Sequence, residues 1–289
     1  MGANHSRTQR IAAYAIIAAH ALLRAALALL PASGSAQQPP PSSADGRQAI
    51  LDRSRAYAFD YIQTLPDFIC DEIVHRYREG VESGSWDGID TLSVRLSYYG
   101  HREEYKLLQV NNKPVPANAR YESLMGSVSE GEFGSLLRQI FETEPGTRIR
   151  WEGWNVIGET RVAVFTYSMT ADHARYAVNF VINDSRYSTT AGRRGSIYVE
   201  PDTGRILRVT SAADGLAPDF PVQSLVSTLE YASTTIGDRT FLLPRSADVQ
   251  MTAGTYKSRN TIEFVSYHKF AAETDVTFTT DTAAPVKKK

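Results

Sequence analysis

The chemistry of the chain reversals constrains this sequence most. From Arg148 onward, short runs of apolar and polar residues are punctuated by residues that turn the backbone back on itself. Ile157-Gly158-Glu159 precedes the run Thr160–Tyr167, and Ile236-Gly237-Asp238 precedes Arg239–Leu243. Glycine at the first central position suits a type II′ turn, whose twist matches the strands it joins. Pro201-Asp202-Thr203-Gly204 is a further turn, because proline presets φ and glycine accepts a positive one. It joins Ser196–Glu200 to Arg205–Ser211. Further strands are expected at Tyr176–Ile182, Leu225–Thr235, Ala247–Thr252 and Asn260–Tyr267. Upstream, Leu92, Val94, Leu96 and Tyr98 alternate with polar residues as in a half-buried strand. Gly100 turns that strand into His101–Val110, and Asn111-Asn112-Lys113-Pro114 follows. The result is an antiparallel meander of about eleven strands.

Two segments have helical rather than strand periodicity. Over Arg47–Thr64, Ile50, Leu51, Tyr57, Ala58, Tyr61, Ile62 and Leu65 define one apolar face. Pro66 ends that helix, because proline disfavours helical geometry in the residue before it. The second helix starts from Ser129 and Glu132, which fit an S-x-x-E capping box. Phe133, Leu136, Leu137, Ile140 and Phe141 follow at spacings of three and four, and Glu144-Pro145-Gly146 closes the helix. The fold class is therefore α+β: a large antiparallel sheet with an N-terminal helix and a helical insert covering one face.

The first 36 residues have the three parts of a secretory signal. Arg7 and Arg10 make a positive start, Ile11–Leu23 is apolar apart from His20, and Gly34-Ser35-Ala36 offers small residues before Gln37. Cleavage is expected between Ala36 and Gln37. The alternative is a retained anchor over Ile11–Leu30, against which Arg24 argues at a cost of about 2.5–3.5 kcal/mol near a helix centre. No cysteine follows the apolar run and Arg7 and Arg10 are not adjacent, so neither a lipoprotein nor a twin-arginine signal is supported. The expected organisation is a signal at 1–36, a Pro-rich linker at 37–46, one β-rich domain at 47–280 and a tail at 281–289. Removing residues 1–36, with three arginines and no acid, takes the formal net charge from −1 to −4. A mildly acidic chain lacks the basic face that nucleic-acid binding needs. Cys70 is the one cysteine, so an exported form has no intrachain disulfide; its setting, Phe68-Ile69-Cys70, reads as buried core.

One stretch is suggestive of kinship. Tyr198-Val199-Glu200-Pro201-Asp202-Thr203-Gly204-Arg205-Ile206-Leu207-Arg208, followed by Leu229-Glu230-Tyr231 and Phe241-Leu242-Leu243-Pro244, resembles the bacterial lipoprotein-carrier superfamily and its relatives in envelope stress sensing. Phe68-Ile69-Cys70 and Gly131-Glu132-Phe133-Gly134 add a similarity to uncharacterised secreted bacterial proteins. The resemblance implies an unclosed antiparallel half-barrel whose concave apolar face is covered by helices and takes acyl chains. It carries over no acyl-handling residue to this chain.

The sequence contains no H-E-x-x-H, calcium loop, G-x-S-x-G elbow, P-loop or G-x-G-x-x-G pattern, and no cofactor or metal is expected. Asp172-His173 is the one adjacent acid–histidine pair, and its place between two strands reads as a solvated turn. Asn183-Asp184-Ser185 matches a glycosylation sequon. Trp151 and Trp154 stand three apart on an expected strand and should face opposite sides. The candidate ligand-cavity residues are Phe133, Leu137, Ile140, Phe141 and Trp151, with the second helix either a lid over a hollow or a plug of core. The leading expectation is an exported, periplasmic or secreted, non-enzymatic protein with a soluble mature domain that binds a lipid or other apolar small molecule. An envelope protein–protein interaction module and a secreted hydrolase are the alternatives.

Overall fold

A computed structural model of the protein describes residues 43–80, 84–116, 118–119, 135–141, 146–182 and 185–270. The expected signal segment with Ala36 and Gln37, the linker up to residue 42, the Ser129–Glu132 box, Phe133, two of the three sequon residues and the tail at 281–289 lie outside these residues.

Helix α1 spans Ala44–Thr64, three residues longer at its start than the apolar periodicity suggests. Ser43 explains the difference: its hydroxyl accepts a hydrogen bond from the Gly46 N–H at 3.1 Å and caps the first turn. The helix stops where Leu65 adopts extended geometry ahead of Pro66. Ile50, Leu51, Ala58, Tyr61, Ile62 and Leu65 are buried, matching the expected face.

Twelve strands form one antiparallel sheet. In chain order they are β1 (Phe68–Glu79), β2 (Trp86–Tyr99), β3 (Arg102–Val110), β4 (Lys113–Pro114), β5 (Thr147–Ile157), β6 (Thr160–Met169), β7 (Tyr176–Ile182), β8 (Ser185–Val199), β9 (Ile206–Asp214), β10 (Ser224–Ile236), β11 (Arg239–Ala253) and β12 (Tyr256–Lys269). Helix α2 (Ser135–Phe141) lies between β4 and β5, and a four-residue helix α3 (Ala171–Ala174) between β6 and β7. The spatial order is β4-β3-β2-β1-β12-β11-β10-β9-β8-β6-β5, with β7 beside the first half of β8. The first strand therefore pairs with the last, Phe68 opposite Lys269, and the sheet curves into a half-barrel without closing.

The turns form as their chemistry dictates. Gly158 and Gly237 have φ near +60° while Glu159 and Asp238 keep negative values, the signature of type II′. Gly204, with φ +75°, has a second role. A Cβ there would stand 2.6 Å from the carbonyl carbon and oxygen of Arg53, so α1 sits directly on this turn. The Arg53 side chain donates from Nε to the Pro201 carbonyl at 2.9 Å and holds the contact.

Twelve strands agree with the expected count of about eleven, but the set differs: β1 and the two-residue β4 are added, and two expected strands merge into β11. Strand β1 alternates Phe68, Cys70 and Val74 toward the core, but Glu72 and Arg76 occupy the same buried row and mask the pattern. Strand β11 runs on through Pro244, which the sequence reads as a break. Tyr231 faces Pro244 and Glu230 faces Ser246, so Arg245 is an extra residue in a bulge. Pairing with β12 begins only at Ser246, so the missing proline N–H interrupts no ladder there.

The concave face holds the main core: α1, α2, the inward residues of β1, β2, β6 and β8–β12. A second apolar cluster, Val178, Phe180, Ala191, Val222, Met251 and Ala253, extends that face beneath β7. Among the described residues no helix is long and apolar enough to cross a membrane.

Candidate ligand-binding interior and outer-face groove

Helix α2 brings four large apolar side chains to the concave face. Leu136, Leu137, Ile140 and Phe141 are each no more than 7 % exposed. The helix packs chiefly against α1 and β5. Two polar contacts fix it from outside the apolar layer. The Thr147 hydroxyl donates to the Gln139 carbonyl at 3.2 Å, and the Arg193 guanidinium reaches the Gln139 side-chain oxygen at 3.5 Å. Arg193 also lies 3.8 Å from the ring centre of Tyr176. Sequence reading missed Arg193, because its partners lie 54 residues away on α2 and on a neighbouring strand.

Trp151 stands at the margin of this layer, half-buried, with the Arg47 guanidinium of α1 5.2 Å from its ring centre. Trp154 does not face the opposite side. Its ring meets Trp151 edge-on with centres 5.2 Å apart, and Trp151 meets Phe165 likewise at 5.3 Å. The cause is a β-bulge: Trp151 pairs with Phe165 and Gly153 with Val164, so Glu152 is an extra residue that resets the alternation. Arg161 covers the outer side of Trp154 at 4.5 Å.

Polar groups are enclosed in the same core. Cys70 is fully buried, and burial, reinforced by the nearby Glu72 charge, pushes its thiol well above the ordinary range. Such a thiol is unreactive. The Tyr267 hydroxyl donates to the Pro244 carbonyl at 2.6 Å. The Tyr61 hydroxyl is buried with no hydrogen-bond partner among the described residues. Arg76 forms two parallel bonds of 2.7 and 2.6 Å to Asp90, both side chains being nearly buried.

The apolar side chains of α2 are members of the buried core cluster. Leu137, Ile140 and Phe141 come together there, and Trp151 flanks them. Asp172 and His173 lie on α3, where the imidazole packs against Gly146 and its Nε2 is buried without a hydrogen-bond partner among the described residues. Among the described residues no three His, Cys, Asp or Glu side chains are placed to hold a metal ion.

The opposite face of the sheet carries a groove of about 620 Å³ across β5, β6, β8, β9 and β10. Arg148, Arg150 and Arg194 line it, with the hydroxyl residues Thr166, Ser168, Ser196, Thr210 and Thr228, and with Ala212 and Val226. These positions are cross-strand partners: Arg148 opposite Ser168, Arg150 opposite Thr166, Ser196 opposite Thr210, and Thr210 opposite Thr228.

No family model matches the chain, and no curated protein matches it by sequence. Solved structures similar to it include a LolA superfamily protein from Nitrosomonas europaea, 8 % identical over 78 % of this chain and 94 % of that one, with a TM-score of 0.37. A DUF1329 family protein from Desulfovibrio piger is 12 % identical over 81 % and 93 %, with a TM-score of 0.35. An outer membrane lipoprotein-sorting protein domain from Vibrio parahaemolyticus is 10 % identical over 77 % and 91 %, with a TM-score of 0.36. At these identities and TM-scores the likeness carries no residue's role across to this chain.

Proposed function

We propose that the protein is an exported, non-enzymatic carrier of a long-chain acyl group, and that α2 is the lid of its binding site. The observation that supports this is α2 itself: a seven-residue helix that buries four apolar side chains where it packs on α1 and β5. Burying four such side chains contributes about 6–12 kcal/mol in total. Ordering seven backbone residues costs about 7–14 kcal/mol. The two terms nearly cancel, so closure of α2 lies within a few kcal/mol of balance. A ligand that replaces the helix must bury a similar apolar surface. At about 0.8 kcal/mol per methylene, that corresponds to roughly 8–15 methylenes. Trp151, on β5 with the Arg47 guanidinium of α1 over its ring, would flank the acyl chain.

The test is native mass spectrometry of protein purified from an envelope fraction under gentle conditions, with organic extraction of bound material. A stoichiometric acylated molecule is the expected result. A bare chain that also fails to take up added fatty acid or phospholipid would overturn the proposal. It would favour the second reading, an envelope interaction module. The observation supporting that reading is β5, an eleven-residue strand paired among the described residues with β6 alone. A free strand edge can accept a further strand from a partner.

A further inference from the structure

We infer that the outer-face groove is a second binding site, for a ligand bearing a phosphoryl group. The groove lies on the face of the sheet away from α1 and α2, so it is independent of the acyl site. Arg148 and Arg150 alternate in register on β5 and point to the same side, about 7 Å apart along the strand. Neither has an ion-pair partner among the described residues. Arg194 stands across the groove on β8, with Asp214 at 3.6 Å, both side chains being half exposed or more. Glu152, exposed in the bulge two residues after Arg150, and Asp214 are the acids beside these three arginines, and Glu230 is engaged by Arg208. The local balance is thus cationic on a chain whose net charge is −1.

The floor supplies the remaining donors. Thr166, Ser168, Ser196, Thr210 and Thr228 present hydroxyls between the arginines, and Ala212 and Val226 leave open space beside them. Guanidinium forks bind oxyanions through paired N–H donors. Two forks and several hydroxyls offer more donors than one planar carboxylate accepts, and a tetrahedral phosphoryl group can use them from several directions. The volume exceeds that of phosphate alone, so the small residues have room for the group the phosphate is attached to. The phosphoryl group can belong to a soluble ester or to a lipid headgroup.

The experiment uses two probes on the intact protein. Inorganic phosphate and glycerophosphate are titrated with NMR detection. Vesicles of phosphatidylcholine, with and without phosphatidylglycerol, are tested by co-sedimentation. The expected result is salt-sensitive binding of at least one probe, with shifts at Thr166, Ser196 and Thr210. Replacing Arg148 and Arg150 together with Glu should weaken binding by about tenfold or more, because each charge-assisted bond lost is of that size. Arg194→Glu, on the opposite wall, should weaken it independently. Both arginines of β5 are exposed, so an unchanged melting curve is expected and separates lost binding from lost fold. Binding of the soluble probes assigns a free phosphoester, and binding of anionic vesicles alone assigns a headgroup. Absence of binding to either probe, or binding unaffected by the arginine substitutions, would overturn the inference.

Discussion

Truncating α2 separates a lid from a plug. The perturbation is the double substitution Leu137→Ala and Phe141→Ala, at side chains that are each 2 % exposed. If α2 unfolds only with the rest of the domain, the Leu→Ala change costs about 2–5 kcal/mol and the Phe→Ala change about 3–5 kcal/mol. Their sum, about 5–10 kcal/mol, rivals the whole stability of an ordinary domain. If α2 is a lid, the loss has a ceiling. Once the closed state rises above the open one, the open but folded state takes over, and further damage to the α2 contacts no longer matters. That ceiling is the closing free energy, which burial and ordering entropy together hold to a few kcal/mol. The assay is urea unfolding followed by far-ultraviolet circular dichroism, paired with hydrogen exchange of the α2 amides. The expected outcome is a cooperative transition weakened by less than about 3 kcal/mol, with α2 amides unprotected and the β1 and β12 amides still protected. Uptake of a fluorescent fatty acid should be faster and retention shorter. A loss of about 5 kcal/mol or more, with α2 and the sheet losing protection together, would refute the lid.

Two further outcomes test the frame around the site. Gly204→Ala should destabilise the fold by about 2–4 kcal/mol, combining left-handed strain with backbone overlap against α1, as read from the urea midpoint; a change within experimental error would show that α1 does not rest on that turn. Burial pushes the Tyr167 phenol up to about 12 from an ordinary value near 10. Above pH 10 the unfolded chain releases that proton while the folded chain holds it, so stability is intact below pH 10 and falls by up to roughly 3 kcal/mol between pH 10 and 12. Urea midpoints across that range, compared with Tyr167→Phe, check the sign: the Phe variant should lose less.

What could be read from the sequence was local, and what escaped it was set by partners. Gly158 and Gly237 announce their turns because the required φ is a property of the residue itself. The apolar face of α1 is equally plain, since its period lies within one element. The pairing of Trp151 with Trp154 was hidden, because the bulge at Glu152 exists only against β6. The first half of β8, Ser185 to Thr190, is polar and shows no strand-like alternation, yet β7 pairs along it. The groove was out of reach for a similar reason: its lining comes from five strands spread between Arg148 and Thr228.

The seam between β1 and β12 sets the order of events during synthesis. Phe68 pairs early with Tyr98 on β2 but must wait for Lys269 on its other side, so one edge of β1 stays open until nearly the whole domain has emerged. Hairpins such as β2–β3 and β5–β6 can form early, but the sheet stays in two pieces until the last strand bridges them. Pairings of such long sequence separation close slowly and leave strand edges exposed in the meantime. A chain with this wiring carries two open sheet edges until its last strand is made, and those edges are where premature pairing with another chain would begin.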